Sequence, residues 1–163
     1  MYTNRATQGI AECERALAID RNLAAAHAWI GTAKFLAGHN EETEGHVLEA
    51  LRISPRDIRA SGWMLFVGTA KFGTGREDEA VVWLNRSIEL GRNWALPHLW
   101  LAAALARLDR LEEAREAARA GLELNPSFTI ARLRSSAFSD NPVYLAGRER
   151  VYEGLRMAGV PEE

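Results

Sequence analysis

The pentapeptide Gly-Thr-Ala-Lys-Phe occurs twice in the chain, at residues 31–35 and again at residues 68–72. The likeness continues past the phenylalanine, because a glycine follows it at the same distance in both copies, at Gly38 and Gly75. Chance is a poor explanation for a match of this length. A segment that recurs 37 residues later in the chain favours folds built from a repeated unit.

The length of the unit indicates the kind of element that it contains. A second likeness, in which Ala114 lies 34 residues after Ala80, places small residues at matching positions of one helix. Such periods, with Pro55 and Pro126 between units, are typical of paired antiparallel helices stacked in an array. No unit of this kind buries its apolar face alone, so stability must come from stacked neighbours. The sequence therefore predicts one all-α domain, an α-α superhelix of about nine antiparallel helices, with turns near Gly38, Gly75 and Asp109.

Composition and charge exclude several classes of partner. With 47% hydrophobic and 26% charged residues, the 163-residue chain has the balance of one soluble folded domain. With a formal net charge of -2, the chain has no excess of positive charge of the kind that binds nucleic acid. The single cysteine, Cys13, excludes an internal disulfide and a two-cysteine zinc site. No stretch approaches the roughly 20 apolar residues of a membrane span, and the N-terminus lacks a signal-like apolar core. We therefore expect no nucleic-acid partner and no direct membrane insertion, with the cytoplasm as the compartment.

The four histidines are the obvious candidates for chemistry. His27 and His98 take the same position in two units, which favours packing, and a separation of about 20 Å would be too large for them to share a metal. His39 and His46 have no carboxylate or cysteine partner at ligand spacing. Residues 73–77, Gly-Thr-Gly-Arg-Glu, lack the Gly-Lys-Ser/Thr ending of a phosphate-binding loop. We expect no catalytic residue, no cofactor and no metal, so the chain is not expected to be an enzyme.

Three consecutive segments resemble the tetratricopeptide repeat. The pattern of that family has a large residue, Leu-Gly and an aromatic residue on the first (A) helix, then small residues around a large one and a final proline on the second (B) helix. The residues at these positions are His27, Gly31, Phe35, Val47, Ala50 and Pro55 in residues 24–57, Met64, Gly68, Phe72, Ala80, Leu84 and Ser87 in residues 61–94, and His98, Ala102, Leu105, Ala114, Gly121 and Pro126 in residues 95–128. Residues 4–22 resemble a B helix without its A helix, and residues 129–163 a degenerate repeat with a C-terminal capping helix.

The resemblance also implies a binding surface, because A helices line the concave face of a tetratricopeptide array. Transferred by position, the residues expected to face this groove are Trp29, Thr32, Phe35, Phe66, Thr69, Phe72, Trp100, Ala103 and Arg107. Large aromatic residues at one repeat position would form an apolar stripe of the kind that marks contact surfaces, or else they belong to the core. Only Arg107 is basic, so a charged clamp for a peptide carboxylate is not expected. The implied partner is a protein or peptide that contributes an apolar or amphipathic segment.

The C-terminal tail resembles a second known group. Residues 139–163, together with residues 51–57 and 101–108, are similar to the C-terminal repeat region of some bacterial class III adenylate cyclases. This implies that the array is the regulatory or scaffolding part of a larger signalling protein, although no segment resembles the cyclase catalytic domain. Two alternatives stay open. One is a binding domain for a small apolar ligand, with the groove closed by the C-terminal helix, and the other is a structural oligomerisation module.

The two ends of the array raise separate expectations. The first helix lacks a neighbour on one flank, so Ile10, Cys13 and Leu17 should be partly exposed and support a weak homodimer. Residues 141–158 form an amphipathic stretch that either caps the last repeat or folds back along the concave face. We expect the cap, because the end of a solenoid needs a cover and Ile130 otherwise has none.

Overall fold

In the computed structural model, residues 2–163 are described and form nine α-helices and no strand. The helices are α1 (Tyr2–Ile19), α2 (Ala24–Leu36), α3 (Asn40–Ile53), α4 (Ala60–Gly73), α5 (Glu77–Leu90), α6 (Ala95–Arg107), α7 (Leu111–Leu124), α8 (Ile130–Ser135) and α9 (Pro142–Met157). The predicted all-α superhelix is therefore confirmed for this part of the chain. None of these helices is both long enough and apolar enough to cross a membrane.

Helices that follow one another in sequence pack as neighbours. The most extensive contacts join α2 to α3, α4 to α5 and α6 to α7, and α3 and α5 also contact the next pair. The turns within these pairs lie at Gly38, Gly75 and Asp109, whose φ angles are 84°, 77° and 60°. Glycine adopts this left-handed conformation without a Cβ clash, and aspartate tolerates it better than most residues. The expected turn positions are confirmed.

Small residues allow paired helices to approach closely. A Cβ on Gly68 of α4 would lie 2.8 Å from Cγ of Leu84 on α5. A Cβ on Gly121 of α7 would lie 2.7 Å from Cγ of Leu99 on α6. Both distances are well inside the separation of about 3.5–4.0 Å that non-bonded carbon atoms prefer. The glycines of the repeat are therefore contact points between helices, as their spacing in the sequence indicates.

The last helix, α9, departs from the repeat pattern. It begins beside the C-terminal end of α2, where Nδ2 of Asn141 donates to the Ala37 carbonyl over 2.9 Å. It crosses α4 at Gly147, which closely approaches that helix. It crosses α6 at Gly154, where an added Cβ would lie 2.5 Å from the Ala103 carbonyl oxygen. The helix thus packs across the C-terminal parts of three A helices, α2, α4 and α6.

This path combines the two that were expected for the tail. The most extensive contact of α9 is with α6, the A helix of the last recognised repeat, and α9 also crosses α4. α8 and the residues that follow α9 lie together at this end of the array. The backbone N–H groups of Ile130 and Ala131 donate to the carbonyls of Pro161 and Glu162 over 3.0 and 2.9 Å, and Ile130 is fully buried.

Candidate functional site

The residues expected to face the groove lie on α2, α4 and α6, but they differ in exposure. Trp29 is 56% exposed. Three of them are half-buried, namely Phe66, Thr69 and Arg107. The others are buried, namely Thr32, Phe35, Phe72, Trp100 and Ala103. Their role in binding stays a prediction, and the path of α9 separates them into a covered and an uncovered group.

The covered group lies beneath α9. Tyr144 of α9 packs edge-on against Phe35, with ring centroids 5.3 Å apart. The guanidinium of Arg150 lies 5.9 Å from the ring centroid of Phe72. Ala103 is the residue against which Gly154 packs. At the C-terminal ends of the A helices, α9 therefore contacts residues that the sequence predicts to face a partner.

A cluster of ion pairs joins α9 to α5 and α6. Glu77, at the start of α5, pairs with Arg107 over 3.2 Å and also with Arg150 of α9. Arg107 in turn pairs with Glu153 of α9 over 3.1 Å. The only basic residue among the predicted groove residues therefore binds the chain's own last helix.

Beside α9 lies a largely apolar cavity of about 430 Å³, which we call the chamber. Its wall is made by α4 and α6, by the segment around α8, and by the N-terminal half of α9. The main aromatic contributors are Phe66, Trp94, Trp100, Phe128, Phe138 and Tyr144. Sequence analysis identified Phe66 and Trp100, and also Phe35, which lines the chamber as well. It missed Trp94 and Phe128, which are the last residues of two recognised repeats and not groove positions of an A helix. It also missed Phe138 and Tyr144, which follow the last recognised repeat.

A second concavity, which we call the trough, opens at the N-terminal ends of the A helices. It is lined by Trp29, Ile58, Trp63, Phe66, Leu90 and Trp94, and it shares Phe66 and Trp94 with the chamber. Ile58 is 97% exposed and Leu90 57% exposed. The trough is thus an open apolar surface that continues into the chamber.

One buried charge lies in the wall of the chamber. Arg148 is 5% exposed, and its guanidinium donates to the Tyr152 hydroxyl over 2.7 Å, to the Tyr144 hydroxyl over 3.3 Å and to the Leu133 carbonyl. Sequence analysis missed this arginine. The available signal was the four-residue spacing of Tyr144, Arg148 and Tyr152, which places all three on one helix face.

The histidines have structural contacts. Nε2 of His27 and of His98 each lies 3.3 Å from the carbonyl of the residue six positions earlier, Arg21 and Arg92. A carbonyl accepts, so the imidazole N–H donates in both units. In the described part of the chain, no three histidine, cysteine or acidic side chains are grouped as a metal site.

Residues 97–128 match the family profile described as tetratricopeptide repeat. This segment spans α6 and α7, which form one helical pair of the array. Together with the fold, the match supports the tetratricopeptide repeat family. No curated protein matches the chain, so the resemblance to adenylate cyclases finds no support there.

The fold is similar to several solved structures. The crystal structure of MamA is 18% identical, covers 91% of this chain and 84% of its own, and superposes with a TM-score of 0.67. YrrB, described as a tetratricopeptide protein with an unusual peptide-binding site, is 22% identical over 95% of this chain and 77% of its own, with a TM-score of 0.65. The first tetratricopeptide domain of Spaghetti (RPAP3), bound to the HSP90 peptide SRMEEVD, is 19% identical over 82% of this chain and 93% of its own, with a TM-score of 0.59. At these identities the likeness shows the fold alone.

Proposed function

We propose that this chain, with its tetratricopeptide-type fold, is a non-catalytic interaction module whose trough binds an apolar or amphipathic segment of a protein partner. The observation behind the proposal is the exposure of Trp29, Ile58 and Leu90 around a concavity that α9 leaves open. Exposed apolar side chains around a concave surface are typical of contact sites. The peptide-binding neighbours YrrB and Spaghetti support the same use of this fold.

The charges around the trough favour an apolar partner over an acidic one. Arg59, the arginine that lines the trough, pairs with Asp57 over 2.8 Å, and its guanidinium lies 5.6 Å from the ring centroid of Trp63. Its charge is therefore already balanced. Affinity must come from apolar side chains of the partner, as in the docking of an amphipathic helix into a groove.

Substitution of Trp29 tests this proposal. Trp29→Ala should weaken binding of amphipathic peptides selected from a library by about tenfold or more, because truncated aromatic anchors commonly cost more than 1 kcal/mol. Val82→Ala on α5 is the matched control, since Val82 is 50% exposed and lines neither cavity. Titration calorimetry would measure both. Equal affinities for the two variants would contradict the assignment of the trough.

A second candidate function is the binding of a small apolar ligand in the chamber. The observation that favours it is the chamber's size of about 430 Å³, within the range of about 300–1,000 Å³ that ligand pockets occupy. Residues of α9 form part of the chamber wall, which supports the alternative in which the C-terminal helix closes the groove. Binding of a fluorescent apolar dye that is lost on Thr69→Trp, which would fill the chamber, tests it.

We also propose a wider context for the module. Attachment to a larger signalling protein such as an adenylate cyclase, and a cytoplasmic location, depend on the sequence resemblance alone. A cyclase domain encoded beside this segment would support both.

Self-association as a weak homodimer has one structural argument. Ile10, Cys13 and Leu17 of α1 are half-buried, and Ile19 at its end is 90% exposed. Ile19→Lys should then abolish dimers in sedimentation, whereas Ile58→Lys, at the trough, should not. A wild-type monomer at high concentration would contradict this proposal and the oligomerisation alternative with it.

A further inference from the structure

We propose that the chamber binds a small monocarboxylate with an apolar body, of which a medium-chain fatty acid is the simplest, and that Arg148 binds its carboxylate. This inference rests on the second candidate function, because it requires a small ligand in the chamber. It adds the charge of the ligand, its chemical class and the residue that recognises it.

The charge of the chamber wall is unbalanced. Arg148 and Arg132 both line the chamber, and no acidic residue does. The partners of Arg148 are two hydroxyls and a carbonyl, all uncharged. Glu149, the acidic residue next to it in α9, is turned to Arg134 and pairs with it over 2.7 Å. Arg132 donates to the Ser127 carbonyl over 2.8 Å. A positive charge without a carboxylate therefore lies in the wall of an apolar cavity.

A buried guanidinium without a counterion is costly, since removal of an ion from water is offset only by good polar partners and an opposite charge. Arg148 has five N–H groups, and its three hydrogen bonds use three of them. The tyrosine rings of Tyr144 and Tyr152, 5.8 and 5.4 Å from the guanidinium, supply part of the compensation. An anion in the chamber would supply the rest.

The chemistry of the wall favours a carboxylate. Nη1 and Nη2 of Arg148 each keep one N–H beyond the hydrogen bonds described above, to which an anion can bind. The planar guanidinium fork matches a carboxylate with two parallel hydrogen bonds. A single negative charge is less costly to bury than the double charge of a phosphate monoester. Around it, Trp94, Trp100 and Phe128 offer apolar surface to the rest of the ligand. Arg132, which is exposed, adds a positive charge that favours the approach of an anion.

A pair of ligands that differ only in charge tests the inference. Dodecanoate and dodecanol, each below its aggregation concentration, would be titrated into the full chain and followed by calorimetry. We expect dodecanoate to bind at least about tenfold more tightly than dodecanol. Arg148→Gln should reduce the affinity for dodecanoate to that for dodecanol. Arg119→Gln, an exposed arginine on α7 outside the chamber, is the matched control and should change neither affinity.

Several results would overturn the proposal. Equal affinity for the two ligands would show an apolar cavity without anion recognition, and no binding of dodecanoate would remove the site altogether. Dodecanoate binding that survives Thr69→Trp would place the ligand elsewhere. If Arg148→Gln fails to fold, as seen by circular dichroism, the wild-type comparison of the two ligands still decides.

The same experiments separate this proposal from peptide binding in the trough. Trp29→Ala should weaken peptide binding and leave dodecanoate binding unchanged, and Arg148→Gln should do the reverse. Failure of peptide binding alone would leave the chamber proposal standing. A peptide with an apolar C-terminal residue that displaces dodecanoate and binds more tightly would assign the chamber to a peptide end instead of a free carboxylate.

Discussion

Lys34 and Lys71 occupy the same position in the two copies of Gly-Thr-Ala-Lys-Phe, yet their surroundings differ. Lys34 is half-buried and pairs with Glu42 over 2.7 Å. Lys71 is buried and lies between Glu44 and Glu79, at 2.5 and 2.6 Å. Burial alone would lower the pKa of Lys71, but its hydrogen bonds to the two carboxylates outweigh this and raise it. The repeat thus predicts the position of a residue on its helix, while the neighbouring helices decide its burial.

The threonines of the pentapeptide also show that position in the repeat does not determine the contacts of a side chain. Thr32 and Thr69 were expected to face the groove, but each hydroxyl donates to a carbonyl of its own helix, that of Ala28 over 3.0 Å and that of Leu65 over 2.8 Å. Such back-bonding is common for threonine within helices. Position in the repeat places both threonines on A helices, but it does not reveal how a hydroxyl is used.

Gly68→Leu tests the close contact between α4 and α5. The added side chain must displace Leu84, and overpacking of this kind costs about 1–3 kcal/mol of stability. Gly45→Leu on α3 is the matched control, because nothing lies within 4 Å of a Cβ at that position. Urea denaturation would measure both. If the Gly68 variant unfolds at the same urea concentration as the wild type, the helix pairing is wrong.

His46 should make stability depend on pH. Burial, and then the neighbouring His27 ring at 6.5 Å, lower the pKa of His46. In the unfolded chain a histidine has a pKa of about 6.5. Below that pH the unfolded state therefore binds more protons than the folded state. The contribution of His46 to the free energy of unfolding is therefore fully present above about pH 6.5, and it decreases as the pH falls. His46→Gln should flatten this dependence in urea titrations between about pH 7 and 5, whereas His98→Gln should not.

At the scale of elements, α2 to α7 were predictable because each helix carries its own periodicity, small contact residues and turn signal. The path of α9 was not. Its most extensive contacts are with α4 and α6, which lie far away in sequence. The positions of Gly147 and Gly154 can be explained only once those partners are known. The seven-residue spacing puts both glycines on one face, two turns apart. Four of the nine predicted groove residues contact this helix, namely Phe35, Phe72, Ala103 and Arg107.

Gly154→Ala should loosen α9 from α6. Its Cβ would lie 2.5 Å from the backbone oxygen of Ala103, which cannot move without shifting α6. A loss of about 1–3 kcal/mol is expected, together with faster amide exchange of residues 142–157. Gly9→Ala on α1, where a Cβ meets nothing within 4 Å, should instead be neutral or stabilising. Unchanged exchange in the Gly154 variant would show that α9 does not depend on this contact.

For the whole molecule, the question is whether α9 is a removable competitor for the groove or a permanent wall. A removable competitor must dissociate from the A helices at a free-energy cost that is smaller than the binding free energy of a partner. α9 buries Tyr144, Val151, Tyr152 and Leu155, each nearly fully. Burial of such side chains contributes about 1.5–3 kcal/mol each, which together is a large part of the 5–15 kcal/mol that stabilises a typical domain. The packing therefore favours a wall.

Deletion of residues 141–163 distinguishes the two roles. If α9 is a wall, the loss of its buried side chains should lower Tm by more than about 10 °C, because each kcal/mol corresponds to about 2–4 °C in a chain of this size. The deletion should also abolish dodecanoate binding and shift tryptophan emission to the red, since Trp100 lines the opened chamber. If α9 is instead a removable competitor, its deletion should leave Tm nearly unchanged and raise the affinity for peptides. Thermal melts monitored by circular dichroism, with peptide titrations at a temperature where both chains are folded, would decide between them.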